Sequence, residues 1–192
     1  MAGFIVGGSY TTRGLDCAGA LAYDRSIMWQ GQVVSVHIAP EAGAPLQVVP
    51  EVRAVPGRGL EGDRYFLGRG HYSSRPSFGG REVTLIETET LEALEHGVLD
   101  AAGERLGIKI TAADTRRNIA TAGVPLNHLV DRTFWVGNVQ MRGTRLCEPC
   151  KYVEELVGQP RLMTALVHRG GLRAQILTEG VIRPGDAIRP QS

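Results

Sequence analysis

Two cysteines separated by two residues, Cys147 and Cys150, form the sharpest chemical feature of the sequence. A pair at this spacing can share a metal ion, form a redox couple or present one thiolate beside a neighbouring group. Residues 151–157 have a helical pattern, which predicts that Cys150 lies at a helix N-terminus, where the helix dipole favours the thiolate. The alternative is that both cysteines are buried as small apolar side chains.

The number of cysteines and the sequence context of this pair exclude some of these chemistries. A structural zinc ion needs four ligands, usually from two such pairs, whereas the chain has one pair and a third cysteine, Cys17, in a segment without clear periodicity. We interpret Cys17 as structural or incidental. A thioredoxin-like dithiol requires a βαβ context that the neighbouring pattern lacks. The motif therefore favours a thiolate that acts as a nucleophile or as a soft metal ligand.

Neighbouring arginines are a second candidate site. Arg116, Arg117 and Asn118 fall in a predicted strand over residues 115–121. Because neighbouring side chains on a strand point to opposite faces, we expect that one arginine could bind an anion while the other is exposed. A solvated arginine pair is the alternative.

Two glycine-containing segments complete the candidates. In residues 168–173 two glycines follow a predicted helix and allow close approach of the backbone to a ligand, with donors from His168, Arg169 and Arg173. A helix C-terminus with basic residues explains the same pattern. The segment 59–64 is a glycine-rich turn without the spacing of a dinucleotide or P-loop fingerprint.

Charge and composition exclude several classes of protein. The 192 residues carry 21 basic and 20 acidic side chains, for a net charge of +1. Only Lys109 and Lys151 are lysines, which leaves 19 arginines. High-GC coding can produce this bias, and the functional alternative is that some arginines bind phosphate or carboxylate as forks. The near-zero total argues against a broad nucleic-acid surface but allows a small anionic ligand.

Length, hydrophobicity and cysteine content predict a cytoplasmic protein of one domain. Hydrophobic residues make up 43% of the chain, which excludes general disorder. We find neither an apolar run long enough for a membrane span nor a signal-peptide pattern, and three cysteines do not suggest a secreted disulfide scaffold. Residues 1–30 are interpreted as an extension of unclear structure, and 31–192 as the domain.

Short strands outnumber helices and do not alternate regularly with them, which disfavours a doubly wound parallel sheet and favours a small β-barrel with peripheral helices. His37 is predicted to lie on a strand face. Helices are predicted at 88–97, 100–106, 151–157 and 160–168. Strands are predicted at 32–38, 81–86, 115–121, 133–136, 138–142, 172–177 and 187–189. One or two further short strands are predicted over 46–55, where Pro50 forces an edge or a break.

These motifs occur in an order that resembles the MOSC family, named for the C-terminal domain of molybdenum cofactor sulfurase. The matching segments are GLEGDR, REVTLIE, TRRNI, GVPLNHLVDRTFWVGNV, GTRLCEPC and HRGGLRAQIL, which span roughly residues 31–190. Their joint order and spacing carry the resemblance. It implies a mostly β barrel like the β-barrel domain of pyruvate kinase, with peripheral α-helices.

The resemblance also implies a site. Family members bind or service the molybdenum cofactor (molybdopterin) through a cysteine that ligates molybdenum or carries sulfur, and the family is also associated with pyridoxal phosphate. Cys150 is the first choice for that cysteine and for the metal ligand, and Cys147 is the second. The residues implied at the cofactor, whose phosphate suits arginine, are Asp63, Arg64, Arg81, Arg116, Arg117, Asn118, His168, Arg169 and Arg173.

Three functions follow as hypotheses. The first is a molybdenum-dependent oxidoreductase that reduces an N-hydroxylated small molecule. The second is a sulfur carrier that delivers persulfide sulfur to a metal centre on another protein. The third is a non-catalytic barrel that binds an anion. The sequence has no aminotransferase-like segment and no iron–sulfur cysteine set, so the first two require an external electron or sulfur donor protein. We expect no nucleic-acid or membrane partner, and either a monomer or a homodimer.

Overall fold

A computed structural model describes residues 29–75, 81–99 and 102–191. Cys17 and most of the predicted N-terminal extension lie outside the described residues. Within them the strands are β1 Gly31–Ile38, β2 Gln47–Val49, β3 Val52–Val55, β4 Gly59–Leu60, β5 Val83–Glu87, β6 Ile119–Ala122, β7 Thr133–Val136, β8 Val139–Leu146, β9 Leu172–Ile176, β10 Gly180–Ile182 and β11 Ala187–Pro190. The helices are α1 Thr88–His96, α2 Lys151–Val157 and α3 Leu162–Ala165, with a 3-10 turn at Leu126–Leu129.

Seven of these strands close into a barrel. Their order is β11-β7-β8-β9-β5-β6-β1, and β1 returns to β11 through the pairs Gly31–Ile188 and Gln32–Ala187. The β5–β6 pair is parallel because α1 crosses between the two strands, whereas each of the other barrel pairs is antiparallel. Strand β2 extends from β1, and β10, β3 and β4 form a small second sheet. The predicted mostly β barrel with peripheral helices is confirmed.

Apolar side chains on the inward faces of the strands fill the barrel. In β9 the buried and partly buried residues alternate along Leu172–Ile176, so one face packs inward as the pleat requires. Phe134, Met141 and Ile119 are fully or almost fully buried beside Leu172. Outside the barrel, the helices share a smaller apolar cluster of Leu94, Ile108, Val153, Leu162 and Leu166. This second cluster seats α2, and therefore the residue before it, against the barrel.

Several predicted elements were wrong. Of the helix predicted over 100–106, the part from residue 102 onward is turn and irregular chain, because Leu106 N–H binds the Val98 carbonyl and folds the backbone back along α1. The strand predicted from residue 115 begins only at Ile119, since Arg116 has a left-handed backbone with φ of 66°. The helix predicted over 160–168 shortens to α3. Strand β10 was not predicted.

Candidate functional site

A cleft opens beside the barrel where four segments meet: the loop over 61–75, the turn over 115–118, the cysteine segment 147–150 and the first turn of α2. Together with the open solvent at its mouth, the empty space in this cleft is about 520 Å³. It is lined by Ala42, Arg64, Tyr65, His71, Tyr72, Thr84, Arg116, Arg117, Cys147, Glu148, Cys150, Tyr152, Val153 and Arg173.

The two cysteines of the motif differ in access. Both are free thiols and both line the cleft, but Cys147 is only 2% exposed while Cys150 is half-buried. Cys147 is fixed through its backbone, since its N–H donates to the Gly171 carbonyl at 2.7 Å. Cys150 is the residue before α2, as the sequence predicted, and its carbonyl accepts the Val153 N–H at 3.0 Å. Cys150 is therefore the more accessible of the two sulfurs.

Arg117 organises the cleft wall through its guanidinium group. Its Nε donates to the Gly170 carbonyl at 2.7 Å, its Nη1 to the Thr115 carbonyl at 2.6 Å and its Nη2 to the Cys147 carbonyl at 2.7 Å. The side chain is buried, so each of these bonds replaces water that the group has lost. One arginine thus holds three chain segments around the cleft.

Arg116 and Arg117 line the same cleft, which contradicts the expected alternation of their side chains. The expectation failed because Arg116 is left-handed rather than extended, so the period of two does not apply. Arg116 donates through Nη1 to the Ala44 carbonyl, and its own carbonyl accepts Arg64 Nη2 at 3.0 Å. Burial, followed by the nearby Arg64 charge, lowers the pKa of Arg116.

Asn118 and Asp63 lie behind the cleft in a buried polar network. The Asn118 amide nitrogen donates to the Asp63 carboxylate at 3.1 Å and to the His37 carbonyl at 3.2 Å. The amide oxygen accepts the Thr84 hydroxyl at 2.9 Å. Asp63 also receives Arg64 Nη1 at 2.9 Å. Arg64 therefore lies in the cleft wall, and Asp63 and Asn118 support that wall from behind.

The paired glycines of segment 168–173 approach protein backbone. A Cβ on Gly170 would overlap the Cys147 carbonyl, and one on Gly171 would overlap the Leu85 carbonyl. The close approach expected from the sequence is thus used to bring the cysteine segment and β5 together. Arg173, on β9, lines the cleft, whereas Arg169 is exposed and is not among the residues lining it.

Glu148 and His168 pair at the cleft rim. Glu148 Oε2 accepts the His168 backbone N–H at 3.0 Å, and Oε1 lies 3.0 Å from His168 Nδ1. These contacts, the backbone N–H first, lower the pKa of Glu148. His168 has an exposed side chain and a left-handed backbone, and it is not among the lining residues.

Arg81 lies outside this cleft. It borders a neighbouring cavity that also includes Arg58, Arg75 and Glu82. Its Nη1 donates to the carbonyl oxygens of Tyr72 and Arg75. Arg81 therefore ties the loop over 61–75 to the start of β5.

Aromatic side chains in the cleft were missed in the sequence. His71 stacks on Tyr152 with ring centroids 4.2 Å apart, and it meets Tyr72 edge-on at 4.6 Å. Burial, and then the neighbouring Cys150 side chain, raise the pKa of the Tyr72 phenol. The sequence feature that could have indicated them is the adjacent pair His71 and Tyr72 in an otherwise polar loop.

Charge in the cleft is mainly positive. Four arginines line it against one glutamate, and Arg64 is partly compensated by the buried Asp63. Within the described ranges, no three or more His, Cys, Asp or Glu side chains are grouped to hold a metal ion. One half-buried thiol among guanidinium groups suits a metal whose other ligands arrive with an anionic organic group.

In the part of the chain that the structure describes, no helix has the length and hydrophobicity needed to cross a membrane.

Comparisons with known proteins give one family match and several structures of similar fold. A family model described as the MOSC domain matches residues 69–189. The YuaD protein from Bacillus subtilis has a similar structure, with a TM-score of 0.64 and 20% identity over 84% of this chain and 97% of that one. YiiM from Geobacillus stearothermophilus has a TM-score of 0.62 and 17% identity, covering 84% of this chain and 75% of that chain. YiiM from Escherichia coli gives 0.55 and 15%, over 86% and 70%. No curated protein matches the sequence.

Proposed function

Since this chain belongs to the MOSC family, we propose that it binds the molybdenum cofactor in the cleft beside Cys150 and reduces N-hydroxylated small molecules. The observation that carries the proposal is the position of Cys150 in an arginine-lined cleft. A thiolate is a soft ligand suited to a transition metal, and guanidinium groups bind phosphate through paired N–H donors. The family match supports the link to the cofactor, and the resemblance to the family suggests the substrate class.

Cys150 is the better candidate for the ligating sulfur. Its half-buried side chain lines the cleft, whereas Cys147 is almost fully buried. The Cys147 backbone is also held at both its N–H and its carbonyl, which leaves that residue little freedom to adjust to a metal. We therefore assign Cys147 to the structure of the cleft and Cys150 to its chemistry.

The arginines divide the remaining work. Arg117 uses Nε and both Nη atoms for carbonyl oxygens, so its main task is to shape the cleft. Arg173, from β9, and Arg116 present charge to the same space. We propose that these two arginines bind the phosphate of the cofactor and that Arg64, whose guanidinium group lies beside Arg116, adds positive potential.

The chemistry that the cofactor supplies when bound is two-electron removal of oxygen from an N–OH group. The N–O bond breaks, two electrons and two protons are consumed, and the products are the N–H compound and water. The electrons come from an external donor protein. The chain's part is to hold the cofactor through Cys150 and the arginines.

The test uses protein produced in a host that makes the cofactor. Molybdenum per chain is measured by mass spectrometry of the metal, and reduction of a hydroxylamine is measured with a reduced viologen dye as donor. Cys150→Ala is expected to lose most of the metal and the activity. Cys147→Ala is the matched control and is expected to retain the metal. Arg173→Gln is expected to lower cofactor occupancy while the fold is kept.

Two outcomes would overturn the proposal. Protein without molybdenum that carries one additional sulfur atom on Cys150 would indicate a sulfur carrier. Protein without molybdenum or activity, whose cleft binds phosphate equally well in both alanine variants, would indicate an anion-binding barrel.

A further inference from the structure

A second cavity lies next to the cysteine cleft, and we refer to it as the arginine cavity. Together with the open solvent at its mouth, its empty space is about 600 Å³. Its wall includes Arg58, Arg75, Arg81, Tyr65, Ser73 and Glu82. Tyr65 also lines the cysteine cleft, so the two spaces share one part of their walls. The other five residues do not line the cleft, and the proposed cofactor contacts leave them unused.

The three arginines of this cavity come from separate parts of the chain. Arg58 lies in the turn between β3 and β4, Arg75 lies at the end of the loop over 61–75, and Arg81 lies two residues before β5. Arg81 joins two of these parts, because its Nη1 donates to the Arg75 carbonyl at 2.7 Å. Three positive side chains around one space repel one another and together attract an anion.

Two of these charges are not compensated by carboxylates of the protein. Within residues 29–75, 81–99 and 102–191, neither Arg58 nor Arg75 forms an ion pair. Each guanidinium group lies beside an aromatic ring instead. The Arg58 guanidinium carbon is 4.0 Å from the Phe66 centroid, and that of Arg75 is 5.1 Å from the Tyr72 centroid. Such a contact places the cation without using an oxygen acceptor, so its N–H groups remain available to a ligand.

Glu82 and Ser73 complete the polar wall. Among the described residues, Glu82 is the one acidic side chain that lines the cavity, and its Oε2 accepts the Gly57 N–H at 3.1 Å and the Ile176 N–H at 3.0 Å. Ser73 Oγ accepts the Gly70 N–H at 2.9 Å, and a hydroxyl that accepts one bond can still donate its own proton. The described wall therefore sets three cations and one hydroxyl donor against one carboxylate.

We propose that the arginine cavity binds the phosphoryl group of a phosphate monoester, with Arg58, Arg75 and Ser73 as donors. A phosphoryl group has three terminal oxygens that accept hydrogen bonds from several directions, which suits donors that come from separate chain segments. Arg81 adds positive potential, and Tyr65 gives the organic part of the ester a surface to pack on. The site does not include the arginines assigned to the cofactor and is independent of the proposed function.

The experiment follows backbone amide signals by NMR in isotope-labelled protein that lacks the cofactor, with phenyl phosphate as the probe. The signals of Gly57, Gly68 and Ser73 report on the arginine cavity, which these residues line. The signal of Gly170, which lies against the Cys147 carbonyl, reports on the cysteine cleft. Phenyl phosphate is expected to shift the three cavity signals saturably. Inorganic phosphate, which lacks the organic part, and acetate, which is planar, are expected to bind more weakly at equal ionic strength.

Substitutions of the two donor arginines test the assignment. Arg58→Gln and Arg75→Gln are each expected to raise the midpoint concentration about tenfold, because each removes charged hydrogen bonds to the phosphoryl group. Arg53→Gln is the matched control. It removes one arginine from β3, next to the turn that carries Arg58, but Arg53 pairs with Glu179 and does not line the cavity. All three arginines are exposed, so the variants are expected to fold, and the control should leave the midpoint within about twofold.

Four outcomes would overturn the proposal. Shifts that do not saturate, or that sodium chloride reproduces, would show general ionic contact. Equal losses of affinity in Arg53→Gln and Arg75→Gln would show that only the overall charge matters. Tighter binding of inorganic phosphate or acetate than of phenyl phosphate would reject the ester. Saturation of the Gly170 signal alone would place the anion in the cysteine cleft. Protein without molybdenum would contradict the proposed function and leave the result of this titration standing.

Discussion

Arg117 Nη2 donates to the carbonyl oxygen of Cys147 at 2.7 Å, across a separation of 30 residues in the chain. The contact joins the turn before β6 to the cysteine segment, and the side chains of Arg117 and Cys147 are both buried. An arginine at a carbonyl-lined position acts through its geometry as much as through its charge, since its planar fork can reach several acceptors at once. The cleft is therefore shaped from behind by a cation whose first role is structural.

Arg117→Lys is expected to destabilise the protein by about 2–4 kcal/mol, because a single ammonium group cannot reach the carbonyls of Thr115, Cys147 and Gly170 together. Urea unfolding gives the free energy, and the alkylation rate of Cys147 in the folded state should also rise. Arg145→Lys, at an exposed site in β8, is the matched control and should change neither quantity. Equal stability of the two variants would contradict this account.

Asn118→Asp is expected to cost about 3 kcal/mol or more at neutral pH, because it places a second buried carboxylate against Asp63. The like charge and the burial raise the pKa of the new carboxyl in the folded state. A group with a raised folded-state pKa is favoured at low pH, so the stability gap to the wild type should narrow as pH falls from 7 towards 4. Unfolding curves at several pH values measure it, with the exposed Asn138→Asp as control. A stability difference that does not change with pH would contradict the proposed contact of Asn118 with Asp63.

His37 should make the protein less stable in mild acid. The ring is buried in β1, its Nδ1 has no hydrogen-bond partner, and burial lowers its pKa below the ordinary value of about 6.5. Below that value the unfolded chain takes up a proton that the folded chain does not, so stability falls as pH drops towards the folded-state pKa. His37→Gln should flatten this slope below about pH 6.5. The control variant His128→Gln, at an exposed site, should leave the pH dependence of stability unchanged. If His37→Gln keeps the wild-type pH dependence, other groups cause it.

Gly170→Ala is expected to destabilise the protein by about 2 kcal/mol or more, because the new methyl group would meet the Cys147 carbonyl and lie 3.2 Å from Arg117 Nη2. Its backbone is not left-handed, so the cost is purely one of space. Gly97→Ala, whose Cβ would make only ordinary contacts at 3.5 Å and beyond, is the control and should be nearly neutral. Thermal unfolding of the two variants separates these cases. Similar melting temperatures would contradict the close approach.

The barrel and the cysteine helix could be predicted because their signals are local. A run of β-branched residues marks β1, alternating apolar residues mark β9, and the pattern after Cys150 marks α2. The left-handed turn at Arg116 could not be predicted, because an arginine gives no local sign of that backbone conformation. The turn is held instead by contacts with Arg64 and Ala44, which are distant in the sequence.

Arg81 and Arg117 also show why residue type alone did not assign roles. Both were expected to line a pocket for an anion, yet Arg81 Nη1 and Arg117 Nη2 donate to backbone carbonyls. Composition cannot distinguish an arginine that faces a ligand from one that supports a turn, because both use the same N–H groups.

Closure of the barrel through Gly31–Ile188 and Gln32–Ala187 has a consequence for folding. These pairs join residues more than 150 positions apart, so the contact order of the domain is high and its folding is expected to be slow. During synthesis β1 emerges first and has an exposed hydrogen-bonding edge until β11 arrives. Chaperone dependence of newly made chains would follow from this topology, independently of any ligand.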